Sequence, residues 1–221
     1  MSIKYAVIDP SPFSANQRIL RMVSLGSCVL DVGCATGYLA AELKRRDCRV
    51  FGIEVSAEAA SDAARYCERV WNVDLDRLDA LDCGRIFDYI IFADVLEHTV
   101  RPEENVRKLL PYLRDGGRIL CSIPNIANWR IRLSLVAGRF EYERVGILDE
   151  SHLRFFTKRT ARQMFHRLGL RTRRMTVTPS VLPYGLYRVY PLKWLDYALC
   201  RGWPSLLAQQ FVFELERPGR P

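Results

Sequence analysis

The stretch VLDVGCATGYLA, residues 29–40, combines a buried strand with a turn and the start of a helix. The apolar residues around Asp31 are typical of a strand inside a parallel sheet, because such strands are covered on both faces. Gly33 and Gly37 let the backbone turn tightly and approach a ligand closely before the helix begins. The stretch therefore predicts an α/β fold with a ligand site where its first strand ends.

Strand and helix patterns alternate around this stretch. The first strand is predicted at 28–32, and further strands are predicted at 49–54, 69–74, 87–94, 118–124, 170–177 and 209–216. Helices are predicted at 14–24, 37–46, 56–67, 102–113 and 158–168, and the DGG at 115–117 is a predicted turn. Residues 125–156 show no clear period and are expected to be irregular.

These elements predict a Rossmann-like α/β fold, with a seven-stranded, mostly parallel sheet and helices on both faces. No long crossover helix is evident between the last two strands, so the last strand is expected to run antiparallel. We expect one domain over residues 1–221, with acceptor-side insertions at about 125–156 and 179–208.

The net charge of +8 is unevenly distributed: residues 1–100 carry −4, residues 101–175 carry +10 and residues 176–221 carry +2. The central block is suited to an acidic substrate, a nucleic acid or an anionic membrane surface, or else forms solvated helix faces. The seven cysteines include no CxxC pair, which argues against a disulfide framework or a zinc site. Without an apolar run of ~18 residues or a signal-peptide core, the chain is expected in the cytoplasm.

Carboxylates accompany the glycine loop. Glu54 ends the second predicted strand, where a carboxylate can accept both hydrogen bonds of a ribose diol. The spacing Asp31-x-Gly33-x-Ala35-x-Gly37 departs from the GxGxxG of dinucleotide sites. Its leading carboxylate suits an ammonium or sulfonium ligand better than it suits anionic phosphates. An NAD-binding oxidoreductase on the same fold is the alternative.

From about residue 28 to residue 170, the sequence resembles the class I S-adenosylmethionine-dependent methyltransferases. The resemblance implies that S-adenosylmethionine is the cofactor, that the loop surrounds its methionine part and that Glu54 holds its ribose. Asp74 matches an adenine-contact position, or it caps a strand end; Ala35 stands where the family usually has glycine. The implied cofactor-binding residues are Asp31, Gly33, Cys34, Ala35, Gly37, Glu54, Val55, Asp74, Leu75, Ala93 and Asp94.

The segment ADVLEH, residues 93–98, resembles the corresponding part of ubiquinone-biosynthesis-type O-methyltransferases. If it turns helical, Asp94, Glu97 and His98 share one face. They are weak candidates for a divalent ion such as magnesium, and many relatives need no metal.

IPNIANWRIRLSLVAGRF (123–140) and LDESHLRFFT (148–157) resemble bacterial enzymes of small-molecule or cell-surface glycan biosynthesis, and methyltransferase-like proteins of methionine biosynthesis. The resemblance implies an acceptor site here. His152 is the first candidate for a general base and His98 the second, whereas His166 is interpreted as structural. Candidate acceptor residues are Trp129, Arg130, Phe140, Tyr142, Arg154 and Phe155, with Arg132 and Phe156 beside them. A loop anchor, surface arginines and core aromatics are the alternative roles.

The sequence thus predicts a methyltransferase that O-methylates a hydroxyl or carboxyl of a small acidic or hydrophobic molecule in a bacterial biosynthetic pathway. The acceptor is a natural product, a glycan or a lipid-like compound. A nucleic-acid methyltransferase is the alternative, although no NPPY-like signature is present. Residues 179–208, rich in proline and aromatics, are interpreted as a lid, a dimer contact or a peripheral membrane contact. Either a monomer or a homodimer is expected.

Overall fold

The computed structural model describes residues 10–84, 86–179 and 190–218, so part of the predicted 179–208 insertion lies outside the described residues. Seven strands form one sheet: β1 (Cys28–Val32), β2 (Arg49–Glu54), β3 (Arg69–Asn72), β4 (Phe87–Ala93), β5 (Leu113–Pro124), β6 (Arg171–Thr178) and β7 (Gln210–Glu216). The helices are α1 (Ala15–Met22), α2 (Tyr38–Lys44), α3 (Ala57–Ala63), α4 (Pro102–Leu109), α5 (Trp129–Val136), α6 (Lys158–Arg167), α7 (Tyr190–Gly202) and α8 (Pro204–Leu207). Short 3-10 turns lie at Leu96–His98 and Leu110–Tyr112.

The strand order is β3-β2-β1-β4-β5-β7-β6. Strand β7 runs in the opposite direction to the other six, which are parallel to one another. The predicted Rossmann-like sheet with an antiparallel last strand is therefore confirmed. The chain proceeds from β1 to β2 on one side and returns to β4 on the other side of β1. Such a switch point opens a crevice at the carboxyl ends of the strands, where ligands bind in open α/β sheets.

Side chains of β1 enter two different cores. Val29 packs with Ile19 of α1 and Leu39 of α2, whereas Leu30 packs into a cluster that includes Phe165 of α6. Helices therefore cover both faces of the sheet, as predicted. Five of the seven cysteines are buried: Cys34, Cys48, Cys67, Cys121 and Cys200.

Residues 125–156 are not irregular throughout, as we expected them to be, because they contain α5. The Asn128 side chain begins this helix by accepting a hydrogen bond from the Arg130 N–H. All eight residues of α5 are described, and none of them is buried. The helix consequently lacks the core-facing period by which helices are recognised in a sequence.

The connection between β6 and β7 was also predicted incorrectly, since it contains the thirteen-residue helix α7. Pro191 and Pro204 have the sequence character of helix breakers, but each lies in the first turn of a helix, where proline is tolerated. The turn predicted at the DGG of residues 115–117 is wrong as well. It lies inside β5, where the pairing with β4 shifts register and Gly116 takes a φ of +76°.

Most predicted elements were placed correctly but extended too far at their ends. The strand predicted over 87–94 ends at Ala93, because Asp94 has a φ of +55° and leaves the extended conformation. None of the helices in the described part of the chain combines the length and apolar content that crossing a bilayer requires.

Candidate functional site

The loop between β1 and α2 is joined to the end of β2 by backbone hydrogen bonds. The Gly33 and Cys34 N–H groups both donate to the Ile53 carbonyl, at 2.7 and 3.0 Å. The Ala35 N–H donates to Glu54 Oε2 at 2.9 Å, and the Ser56 N–H donates to Glu54 Oε1 at 2.8 Å. The predicted loop and the predicted ribose-binding carboxylate therefore form one unit.

Two glycines of this loop have no room for a side chain. A Cβ on Gly33 would lie 2.7 Å from Val95 Cγ2, and one on Gly37 would lie 2.9 Å from Ala63 Cα. Both residues have positive φ, as does Ala35 at +46°. A left-handed conformation costs an L-residue about 1–2 kcal/mol. The position where glycine was expected thus keeps the glycine conformation at the cost of local strain.

Cys34 is a buried residue of this loop. Its sulfur fills the space above Gly52, where a Cβ would come within 2.5 Å of Sγ. A hydrogen bond with Cys67 and burial both raise the pKa of the Cys34 thiol, so it stays protonated. Cys34 is therefore not available to a ligand as a thiolate.

Asp31 is the most unusual group at this edge of the sheet. It is 2% exposed, and its Oδ2 has no hydrogen-bond partner among the described residues. Burial, and secondly the charge of Glu54, raise the pKa of Asp31 to about 8. A buried, unpartnered carboxyl is costly, and a cationic ligand would offset that cost by favouring its ionised form.

The end of β3 lies beside Glu54, because Asn72 Nδ2 donates to the carbonyls of Glu54 and Val55 at 2.8 and 3.0 Å. Asp74 Oδ1 accepts from the Asp76 N–H at 2.9 Å and thus caps the turn after β3. Leu75 is buried in the core, whereas Val55 is 67% exposed. The exposed apolar surface next to Glu54 therefore belongs to Val55.

Asp94 follows β4 and is held by two other strands. Its Oδ1 accepts from Ser122 Oγ at 2.7 Å and from Gln210 Nε2 at 2.9 Å. Burial raises the pKa of Asp94, although these hydrogen bonds act in the opposite direction. Ala93, next to it, is buried and pairs with Ser122. No sequence signal pointed to Gln210, because its contact depends on where β7 enters the sheet.

Glu97, His98 and His152 form a cluster in which each residue offers one ligand atom within 4.8 Å of the others. The imidazole centroids are 4.7 Å apart. The cluster is assembled by the Glu97 carbonyl, which accepts from the Leu153 and Arg154 N–H groups at 2.8 and 2.9 Å. Asp94, the third residue predicted for a metal site, is not part of this cluster. Asp94 is engaged by Ser122 and Gln210, and His152 takes that place.

The Glu97 carboxyl is 1% exposed, and neither of its oxygens has a partner among the described residues. Burial raises its pKa well above the ordinary value, with smaller contributions from Asp94 and Asp149. Burial also lowers the pKa of His98, and His152 lowers it further. His98 is therefore a neutral imidazole at neutral pH.

Backbone carbonyls determine the tautomers of both imidazoles. His152 Nδ1 lies 3.0 Å from the Ile147 oxygen, and His98 Nδ1 lies 3.2 Å from the Ser151 oxygen. A carbonyl can only accept, so the neutral form of either ring would carry its hydrogen on Nδ1 and its lone pair on Nε2. Ser151 Oγ also contacts His98 Nδ1 and donates to Asp149. Sequence analysis missed these supporting residues, and Ile147 acts through its backbone alone.

A pocket of about 270 Å³ lies at this edge of the sheet. Its lining includes Asp94, Glu97, His98, His152 and Gln210. The pocket therefore joins the turn after β4, the loop that carries His152 and the start of β7.

The predicted acceptor residues are only partly brought together. Rings lead outward from the pocket, since Phe155 lies 6.3 Å from His152 and Phe140 lies 6.2 Å from Phe155. Tyr142 contacts Phe140 at 5.5 Å. Trp129 is half-buried and Arg130 is exposed, both on α5.

Several other predicted positions have structural roles. Arg154 donates twice to the Val100 carbonyl, and Arg132 donates to the Ala127 carbonyl. Both arginines are exposed, in keeping with the surface position that was the alternative to binding an acidic acceptor. Phe156 is part of the core, and His166 lies on the exposed face of α6.

Comparison with known proteins gives consistent matches. A methyltransferase domain family model matches residues 12–174. The chain is 32% identical over 136 residues to a bifunctional methionine biosynthesis protein of Rhodopirellula baltica, covering 56% of this chain and 21% of that protein. It is 30% identical over 118 residues to a ubiquinone biosynthesis O-methyltransferase of Psychrobacter cryohalolentis, covering 50% of this chain and 46% of that enzyme. The chain thus spans less than half the length of these curated relatives.

Among solved structures, magnesium protoporphyrin IX methyltransferase from Synechocystis with bound SAH resembles this chain with a TM-score of 0.60 at 17% identity. The match covers 92% of this chain and 80% of the other. At this identity the likeness supports the fold.

The raised pKa of Asp31 predicts a pH-dependent stability. Between the unfolded pKa of 3.8 and the folded pKa of about 8, the folded protein holds a proton that the unfolded chain has lost. This stabilisation of the folded protein is complete below the unfolded pKa of 3.8. It is lost as pH rises through the folded pKa of about 8. Relative to Asp31→Asn, the wild-type free energy of unfolding should fall by up to about 1.4 kcal/mol per pH unit. Urea unfolding between about pH 6 and 9 measures this difference. Parallel curves for the two proteins would contradict the assignment.

Proposed function

This chain belongs to the methyltransferase domain family, in its S-adenosylmethionine-dependent class I, and we propose that it methylates an oxygen atom of a small acceptor. The acceptor carries a hydroxyl or carboxyl group and an apolar part, and it belongs to a bacterial biosynthetic pathway for a natural product, a glycan or a lipid-like compound. One observation carries the proposal: two imidazoles with free Nε2 lone pairs lie beside Glu97 in a pocket at the edge that bears the glycine loop.

The residues around the glycine loop fit S-adenosylmethionine. The cofactor supplies a methyl group on a positively charged sulfur, and its transfer leaves a neutral thioether. Asp31 provides a buried carboxyl without a partner on Oδ2, suited to the positive charge of the methionine part. Glu54 uses one acceptor site on each oxygen for Ala35 and Ser56, and a carboxylate has about four such sites. It therefore retains capacity for the ribose hydroxyls.

His152 is suited to act as the base on the acceptor. Its Nε2 would accept the hydroxyl proton as the acceptor oxygen takes the methyl group. The imidazolium so formed would lie beside the Glu97 carboxyl. Alignment of the acceptor in the pocket supplies the larger part of the rate, since proximity lowers the barrier of a displacement by several kcal/mol. His98 is the second candidate for this role.

The same cluster also fits a divalent cation. Glu97 offers two unpartnered oxygens, and each imidazole offers an Nε2 lone pair. Two imidazoles favour zinc or a similar transition metal over the magnesium indicated by carboxylates alone. A cation held there would bind the acceptor oxygen and lower the pKa of its hydroxyl.

A nucleic-acid acceptor has weaker support. In the described residues, seven arginines of the basic block 101–175 form ion pairs with acidic side chains: Arg101, Arg107, Arg114, Arg118, Arg167, Arg171 and Arg173. Arginines already paired contribute less to the clustered positive charge that phosphate binding requires. Family membership likewise favours S-adenosylmethionine over NAD.

We expect the wild-type chain to bind S-adenosylmethionine and its demethylated product saturably in calorimetric titration. Glu54→Gln should weaken this binding about 10–100-fold. The change removes the negative charge from the side chain that would accept the hydrogen bonds of the two ribose hydroxyls. Glu58→Gln, an exposed change on neighbouring α3, serves as the matched control and should bind as the wild type does. Absence of binding by the wild type would refute the proposed cofactor site.

Incubation with S-adenosylmethionine and a panel of phenols, hydroxy acids and carboxylic acids should give an O-methylated product, detected by mass spectrometry. His152→Asn should lower the kcat for formation of that product about 10²–10⁴-fold while leaving cofactor affinity unchanged. The matched control is His166→Asn on α6. Products methylated on nitrogen or carbon alone, or full activity of His152→Asn, would count against the proposal.

Titration of metal-free protein with Co²⁺ tests the cation alternative. If Glu97, His98 and His152 hold a metal, the visible Co²⁺ spectrum should show saturable coordination that Glu97→Gln abolishes. Asp94→Asn, outside the cluster, should retain the spectrum. A wild-type protein that gives only the spectrum of hydrated Co²⁺ would eliminate the metal and leave the imidazole as base.

A further inference from the structure

Helix α5 exposes an apolar surface that the described part of the chain does not cover. Leu133, Leu135 and Val136 are 59%, 50% and 86% exposed. Helices of this length are marginal in water unless tertiary packing supports them, and they normally bury an apolar face. Helix α5 is only partly covered, at Trp129, Ile131 and Ser134, so its outer apolar side chains are available for contact with something beyond the described residues.

The exposed apolar character continues beyond the helix. Phe140, Tyr142 and Val145 are also exposed, at 43%, 57% and 55%. We refer to residues 129–145 as the α5 surface. An accumulation of large exposed apolar side chains in one segment marks an interaction site more often than scattered single residues do.

The charge of the α5 surface selects among possible partners. The segment has four arginines, at positions 130, 132, 139 and 144, and two glutamates, at 141 and 143. Helix α5 itself contains arginine but no acidic residue. A symmetric contact between two copies would set these arginines against each other. Arginine among exposed Leu, Val and Phe is instead the composition of a segment that lies on an anionic bilayer.

The position of the α5 surface is informative as well. Phe140 contacts Phe155, and Phe155 contacts His152 in the pocket. The line of rings thus connects the exposed surface to the two imidazoles. An acceptor with an apolar tail could keep that tail in the bilayer while its head group reaches His152; this step, unlike the surface itself, rests on the proposed function.

We infer that the α5 surface docks on an anionic lipid bilayer. Leu133 and Val136, three residues apart and thus on one side of the helix, enter the interfacial region. Arg139 and Arg144 lie among the lipid headgroups. This attachment is peripheral, by an interfacial helix.

Co-sedimentation of the full chain with vesicles of phosphatidylcholine, with and without phosphatidylglycerol, tests the inference. Binding should require phosphatidylglycerol and weaken as salt is raised. Leu133→Ser combined with Val136→Ser should reduce partitioning at least about tenfold, because both apolar contacts are lost. Arg139→Gln and Arg144→Gln should each reduce it about fivefold.

The matched control is Leu195→Ser combined with Leu199→Ser on α7, two leucines that are 53% and 44% exposed. This pair should bind vesicles as the wild type does. Equal loss in both pairs, or equal binding to neutral vesicles, would overturn the inference. The inference would also be overturned if the protein bound no vesicles and formed a dimer that Leu133→Ser combined with Val136→Ser dissociates.

Cofactor titration of every variant separates the two proposals. Vesicle binding by a chain that fails to bind S-adenosylmethionine would refute the proposed function and leave the docking surface intact. Cofactor binding without vesicle binding would refute the docking surface alone.

Discussion

The hydrogen bonds from Gly33 and Cys34 to the Ile53 carbonyl are the contacts on which the donor half of the site depends. They fold the chain back over the end of β2 as soon as β1 ends. Asp31 is thereby enclosed at the sheet edge and Glu54 is brought close to it, so that two carboxyl groups share a poorly solvated region. The raised pKa of Asp31 follows from that enclosure. A positively charged ligand next to Asp31 would act against both causes and favour its ionised form.

The proposed acceptor half is built by a different principle. Its groups come from distant parts of the chain: Asp94 and Glu97 follow β4, His152 lies in the loop before α6, and Gln210 begins β7. Their assembly depends on the insertion of β7 between β5 and β6 and on the Glu97 carbonyl that holds residues 153 and 154. The donor half is thus determined by local turns and neighbouring strands, and the acceptor half by long-range packing.

This difference explains what could be predicted from the sequence. The strands β1 and β2 were predicted with correct bounds, because a buried parallel strand is a continuous apolar run whose ends are marked by turns. Helix α5 has no fully buried side to create a period, and α7 carries at its second position a proline that resembles a breaker. The structure brings together the two imidazoles that were selected by residue type, His98 and His152. Their supports, Ser151, Asp149 and the Ile147 carbonyl, carry no pattern, since a hydrogen bond from a ring to a backbone oxygen leaves no trace in the residue type.

The basic block illustrates how one feature of composition divides into two physical roles. Arg118, Arg171 and Arg173 converge on Glu214 and Glu216, at distances of 2.6–3.6 Å, and join β5, β6 and β7 at one end of the sheet. A hydrogen bond from Arg171, and further charge from its neighbours, lowers the pKa of Glu216. Such arginines are charge-matched within the fold and attract little from outside. The arginines of residues 129–145 face a local excess of positive charge and lie among exposed apolar side chains. A net charge of +10 over the block therefore overstates the field available to a polyanion, while a smaller positive charge is concentrated where apolar contact is also possible.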